Sequence, residues 1–168
     1  MPKIIENLES RLMEEAQRQI ESMGYTATTI RSVAQACGVG VGTVYNYYPS
    51  KDMLVASYML NDWRDCMRVI QAAGKTAQSP KPVAQCIYEQ IRTFTNRHSA
   101  VIQDKAASTG FSSVYNRYHA LLRSHLVTPL RKFCPDDFTA EFIAESLVSW
   151  SKTEYDFETI YSLIQKLF

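Results

Sequence analysis

A chain of 168 residues with a formal net charge of +1 holds one core's worth of protein and no polybasic character, so an anionic partner has to be met by a local patch. Hydrophobic residues at 46% and charged residues at 21% are the balance of an ordinary soluble globular domain. No run of about 18 apolar residues occurs, which excludes a membrane-spanning helix. The charge-broken start MPKIIENLESRLMEEAQRQIE reads as neither a secretory nor a transit signal, so the cytoplasm is the expected compartment.

Taken in chain order, the pattern is helical throughout. Ile5, Leu8, Leu12, Ala16, Ile20 and Met23 recur at steps of three and four, one stripe of an amphipathic helix, and Gly24 stops it. Thr29 is placed to cap a short second helix, IRSVAQAC, that ends at Gly38. A third short helix runs from about Gly40 to Tyr48 and is closed by Pro49. Ser50 then caps a long fourth helix, with Asp52 in its first turn, reaching to Gly74.

The stretch GKTAQSPKP is the one evident linker. Beyond it VAQCIYEQIRTFTNRH and SAVIQDKAA read as helical and STG as a loop. FSSVYNRYHALLRSHLVTPLRKF reads as a long helix in which Pro129 forces a kink or local break. Asp136 or Asp137 caps a helix around Phe138 to Lys152, and a last helix spans about Asp156 to Phe168. The fold class is all-α.

CGVGVGTVYNYYPSK, residues 37–51, poses the functional question. A dinucleotide loop needs G-x-G-x-x-G after a strand, whereas Gly38, Gly40 and Gly42 are spaced G-x-G-x-G after the helical SVAQAC. No G-K-[ST] follows either, so no phosphate-binding cofactor loop is expected. A helix-turn-helix accounts for more residues: Ala34 is small where two helices cross, Gly38 accepts a tight turn, and Val33, Val39 and Val44 face a small core. The third helix then offers Val41, Thr43, Asn46 and Tyr47 outward, with Tyr45 at its flank. From Thr28 to Lys51 there is no acidic residue, and Arg31 with Lys51 gives a local charge of +2. Hydroxyls and amides on such a face suit phosphate oxygens and base edges.

TTIRSVAQACGVGVGTVYNYYPSKDML resembles the helix-turn-helix of the tetracycline-repressor (TetR) family of bacterial transcriptional regulators, matching it at Thr29, Val33, Ala34, Gly38, Val39, Gly42, Thr43, Val44, Tyr45, Tyr47, Tyr48, Ser50, Lys51 and Leu54. The resemblance implies that Thr29 and Arg31 open the second helix against the DNA backbone, with Arg31 able to reach a groove edge. It also implies that Thr43, Tyr45, Tyr47 and Lys51 hold phosphates, and that Val41 and Asn46 stand at the base-reading positions beside Gly42. Tyr48 replaces a usual Phe and is expected in the core. Gly40 departs from the Ser or Thr that ordinarily caps the recognition helix.

Further along the chain the resemblance implies a domain at residues 1–49 for DNA and one at 50–168 for effector binding and dimerisation. Trp63, Tyr88, Phe94, Phe111, Tyr115, Tyr118 and His119 suggest an effector cavity. Phe142, Ile143, Leu147, Trp150, Ile160, Ile164 and Leu167, on helices apolar on both faces, suggest a dimer interface, and a dimer places two recognition helices on a palindrome. His98, His119 and His125 lack metal-ligand spacing, and no nucleophile motif is present. Cys37, Cys66, Cys86 and Cys134 form no C-x-x-C and read as buried thiols, a redox-responsive thiol being the alternative.

The expected function is a homodimeric repressor of a palindromic operator, released by a small molecule, with no cofactor, metal or enzymatic activity. The alternatives are a regulator of the same fold with no effector, and a helical ligand-binding protein that does not bind DNA.

Overall fold

The computed structural model describes residues 7–110 and 123–168. In chain order the described α-helices are α1 (Leu8–Met23), α2 (Ile30–Ala36), α3 (Val41–Tyr47), α4 (Lys51–Thr76), α5 (Pro80–Arg97), α6 (Ser99–Ile102), α7 (Lys105–Gly110), α8 (Asp137–Trp150) and α9 (Phe157–Ile164). Residues 123–127 are also helical. The described residues of Met1–Asn61 and His98–Val114 form one compact unit, and those of Asp62–Arg97 and Tyr115–Phe168 form another.

In the first unit, Leu8, Leu12, Ala16 and Ile20 of the α1 stripe are buried with Val33, Ala34, Val44, Leu54 and Val55. Val101 and Ala107, from α6 and α7, complete that core. Met23, at the end of the stripe, lies on the surface instead, and Ile5 is outside the described residues. Gly24 ends α1 at φ +87°, where its N–H still reaches the Ile20 carbonyl. Asp104 accepts the N–H groups of Ala106 and Ala107 and so starts α7. The cap splits 99–107, which the sequence suggests as one helical segment, between α6 and α7, and Ser108-Thr109-Gly110, expected as a loop, is the final turn of α7.

The second unit packs Ile70, Ile87, Leu130, Ile143 and Leu147, all fully buried, with Ile160 and Ile164. Two expectations change here. Gly74 does not end α4, which continues to Thr76; a Cβ on Gly74 would lie 2.5 Å from Pro129 Cβ, so the glycine permits a close contact. The linker shrinks as well, because Pro80 and Pro82 sit in the first turn of α5, where a missing N–H leaves no hydrogen bond unmade. Pro129 does break the chain, which turns at 128–130 and continues as a 3-10 turn, Arg131–Phe133. Asp136 and Asp156 cap α8 and α9 by accepting the Thr139 and Thr159 N–H groups. Burial pushes all four cysteine thiols up, although Cys86 and Cys134 are only half-buried.

Candidate nucleic-acid interface

Thr29 enters α2 with extended backbone, φ −130° and ψ 156°. Its hydroxyl accepts the Ser32 N–H at 3.0 Å and its own N–H donates to Ser32 Oγ at 3.1 Å, a reciprocal cap that fixes where the helix starts. The Ser32 hydroxyl proton has two acceptors in reach, Gln19 Oε1 at 2.6 Å and the Thr29 carbonyl at 2.8 Å. Gln19 is buried on α1 and donates in turn to Glu15 Oε1 at 2.7 Å. The Arg18 guanidinium, bonded to Glu15, holds that carboxyl below its ordinary range. A polar relay therefore sets α2 against α1. The sequence carries a sign of it, a glutamine interrupting an apolar stripe.

The turn into α3 is a Schellman closure. Gly38 takes φ +70°, its N–H donates to the Gln35 carbonyl at 3.1 Å, and the Val39 N–H donates to the Ala34 carbonyl at 3.0 Å. Gly40 then caps α3 with no side-chain bond. Val44 anchors α3 in the core, and Val39 and Val41 pack at its edge. Gly42, Tyr45, Asn46 and Tyr47 are exposed and Thr43 is half-buried; Tyr45 and Tyr47 keep 50% and 47% of their surface. Tyr48 is buried as expected, and its hydroxyl donates to Glu9 Oε1 at 3.4 Å. Burial and the Glu9 charge push its phenol up to about 12.

A depression of about 440 Å³ opens on this side, bounded by Thr28, Thr29, Ile30, Arg31, Val41, Tyr45, Pro49, Ser50 and Lys51. Of the residues expected at DNA it collects Thr29, Arg31, Val41, Tyr45 and Lys51; Gly42, Thr43, Asn46 and Tyr47 lie elsewhere on α3. Arg31 is exposed. The Lys51 ammonium instead turns inward, donating to the Tyr25 carbonyl at 2.8 Å and the Thr28 carbonyl at 3.1 Å.

The other expected sites divide. Trp63 and Tyr88 are buried and Phe94 is half-buried, all in the second unit's core. Trp63 and Phe94 meet edge-on with centroids 5.2 Å apart, and the Tyr88 hydroxyl donates to the Tyr155 carbonyl at 2.5 Å. Phe111, Tyr115, Tyr118 and His119 lie outside the described residues. Among the residues expected at a dimer interface, Ile143, Leu147, Ile160 and Ile164 are enclosed in their own unit's core. Only Phe142, Trp150 and Leu167 face outward, joined by Phe138 at 75% exposure, Leu163 at 70% and Tyr155, none of which the sequence pattern singles out. Among the described residues no group of three or more His, Cys, Asp or Glu could hold a metal ion, and no helix is long and apolar enough to cross a membrane.

Residues 12–58 match the model of the family described as bacterial regulatory proteins, tetR family. Over this segment, 47 of the chain's 168 residues, the chain is similar to the TetR family. Solved structures of similar fold extend the likeness beyond the TetR domain. A protein of Streptomyces coelicolor A3(2) assigned as a transcriptional regulator is 12% identical with a TM-score of 0.72, over 94% of this chain and 96% of that one. A transcriptional regulator of Aquifex aeolicus VF5 is 14% identical with a TM-score of 0.65, over 94% and 95%. The TetR family repressor AlkX of Dietzia sp. strain DQ12-45-1b, implicated in biodegradation of n-alkanes, is 16% identical with a TM-score of 0.62, over 94% and 97%. No curated protein matches the sequence. Residues 12–58 thus match a tetR-family helix-turn-helix segment, and the chain as a whole shares the fold of these regulators.

Proposed function

We propose that this protein is a cytoplasmic, homodimeric repressor of the TetR family with no enzymatic role, which binds a palindromic operator and is released by a small molecule. The observation that carries the DNA-binding part is the presentation of α3: a Schellman turn and a doubly bonded cap on α2 hold out Tyr45, Asn46 and Tyr47, with no carboxylate between Thr28 and Lys51. In this reading Thr29, Arg31, Thr43, Tyr45 and Tyr47 hold the backbone, while Val41 and Asn46 meet base edges with Gly42 admitting close approach. Residues 1–49 serve DNA and 50–168 serve dimer and effector.

The finer parts rest on analogy of fold, with local support. The exposed Phe138, Phe142 and Leu163 are more apolar surface than the last helices would leave to water, which supports a homodimer. The Trp63 indole N–H is buried with no acceptor among the described residues, which supports an effector bearing a hydrogen-bond acceptor. Such a ligand acts by preferring a conformation in which two recognition helices no longer match the half-site spacing. The core packing of Trp63 and Tyr88 favours a second reading, a regulator of the same fold with no effector.

The test is selection of bound duplexes from a random pool at about physiological salt, where nonspecific phosphate attraction is weak. Enrichment of a two-fold-symmetric site is expected. Folded, ligand-free protein that enriches nothing would refute the operator reading and leave a helical binding protein. An added ligand that binds without lowering operator affinity would refute release.

A further inference from the structure

The resemblance gives Lys51 to a DNA phosphate, and the geometry points elsewhere. The ammonium has three donors and no acceptor; two are engaged by the Tyr25 and Thr28 carbonyls, and the Tyr25 ring centroid lies 3.9 Å from Nζ. An aromatic face and two carbonyl dipoles thus stand where water would otherwise hydrate the cation. The Tyr25 hydroxyl donates to Asp52 Oδ1, the residue after Lys51, so the loop and the start of α4 are joined twice. Tyr25 and Thr28 are both buried. The Thr28 N–H and hydroxyl donate to the Gly24 carbonyl at 3.3 and 3.0 Å, so Lys51 grips a loop already closed on itself. The next residue is Thr29, the cap of α2.

We propose that Lys51 is a positioning residue whose ammonium pins the loop from Gly24 to Thr29 onto the base of α4 and thereby aims Thr29 and Arg31 at DNA, without itself contacting phosphate. The proposal rests on the DNA-binding reading above. A lysine that reached out to a phosphate would leave two buried-side carbonyls without their donor, a loss that offsets much of what the phosphate contributes. Arg31, exposed on the same side, is the cation the face offers outward.

The experiment compares duplex affinity between about 50 and 300 mM salt for the full-length protein, Arg31→Met, Lys51→Met and Lys51→Arg. Losing one phosphate contact flattens the slope of log affinity against log salt by about 0.9. Arg31 stands once in each protomer of the dimer, so a flattening of about 1.8 is expected for Arg31→Met. For Lys51→Met the expectation is an affinity roughly tenfold lower at every salt concentration with an unchanged slope, measured well below the melting temperature so that lost folding does not contribute. Lys51→Arg should fail to restore affinity, because a planar fork does not reproduce a compact ammonium held by two carbonyls over a ring. A slope flattened by Lys51→Met, or affinity fully kept by Lys51→Arg, would overturn the proposal. Should Lys51→Met not fold, Lys51→Gln, which keeps an amide donor for one carbonyl, gives the same slope comparison.

A second readout needs no DNA. Lys51→Met should lower Tm by about 3–8 °C, the scale for losing a charged, partly enclosed set of bonds in a chain of this size, and Arg31→Met by less than about 1 °C. An unchanged Tm in Lys51→Met would also overturn the tether. Wild-type protein that binds no duplex would instead refute the DNA-binding reading, with the Tm comparison still deciding the tether.

Discussion

Replacing Gly42 by alanine should stabilise the protein and weaken its hold on DNA, two effects of opposite sign from one methyl group. Gly42 is the second residue of α3, exposed, and a Cβ built there meets nothing within 4 Å. Its φ is not in the left-handed region, so alanine adopts the same backbone without strain. The folded state therefore loses nothing, and the unfolded chain loses conformational freedom, a gain of about 0.5–1 kcal/mol. For a chain of this length that raises Tm by about 1–4 °C. The same methyl group projects from the face proposed to meet DNA, where glycine admits a backbone or base edge to van der Waals distance. Holding the duplex off by a methyl should cost about 1.4 kcal/mol, a tenfold loss of affinity. Circular dichroism melts and fluorescence anisotropy on a selected duplex read the two effects separately. Increased stability with full affinity would mean that DNA does not approach the first turn of α3. Lost stability would show that the space around Gly42 is not free and would refute both expectations.

Gly74→Ala should act in the opposite direction. Its Cβ would fall 2.5 Å from Pro129 Cβ and 3.2 Å from Pro129 Cα, atoms of a rigid ring and backbone, so a loss of about 1–3 kcal/mol is expected in a urea melt, and an unchanged midpoint would contradict the contact. Asp136 and Asp156 are held below the ordinary carboxylate range chiefly by the Thr139 and Thr159 N–H groups they cap. Their contribution is full above the unfolded value near 4 and fades as pH falls through the lower native one. Tm measured downward from pH 5 should therefore drop less steeply in the double variant Asp136→Asn with Asp156→Asn, and an equally steep drop would rule these caps out as its source. Phe138→Glu with Phe142→Glu should halve the mass found by sedimentation equilibrium, and wild-type protein that sediments as a monomer would refute the dimer.

What is legible in the sequence is what short-range chemistry specifies. Thr29, Gly38, Ser50 and Asp136 each announce a helix end by a bond to a residue at most five positions away, and each does so in the structure. Gly74 misleads because its reason is Pro129, far along the chain, and nothing local distinguishes a glycine that stops a helix from one that lets a neighbour in. Pro80 and Pro82 look like linker residues from the sequence because proline serves the first turn of a helix as well as a loop. On α8 and α9 both faces are apolar, so periodicity alone does not say which side is internal. Packing places Ile143 and Leu147 inward and leaves Phe138 and Leu163 at the surface. Lys51 matches the family pattern in type and position, yet its partners come from Tyr25 and Thr28, outside the helix that carries it.

That last difference changes how this face can hold DNA. With the Lys51 ammonium engaged inside, the stretch from Thr28 to Lys51 offers outward the charge of Arg31, and the remaining exposed groups, Tyr45, Asn46 and Tyr47, are neutral donors and acceptors. A dimer then presents about two phosphate-neutralising cations from these segments, which gives a slope of log affinity against log salt of about −1.8. Over a fourfold rise in salt the loss is about tenfold, against the roughly thousandfold or greater loss of a protein that neutralises six or more phosphates. Weak nonspecific attraction follows, so discrimination has to come from short-range fit by hydroxyls, amides and the shape of the groove. Such a reader benefits from having two half-sites more than a basic one does, because neutral contacts add only where both helices are in register. A measured slope near about −6 would mean that cations elsewhere on the chain reach the duplex and that α2 and α3 are not its main contact.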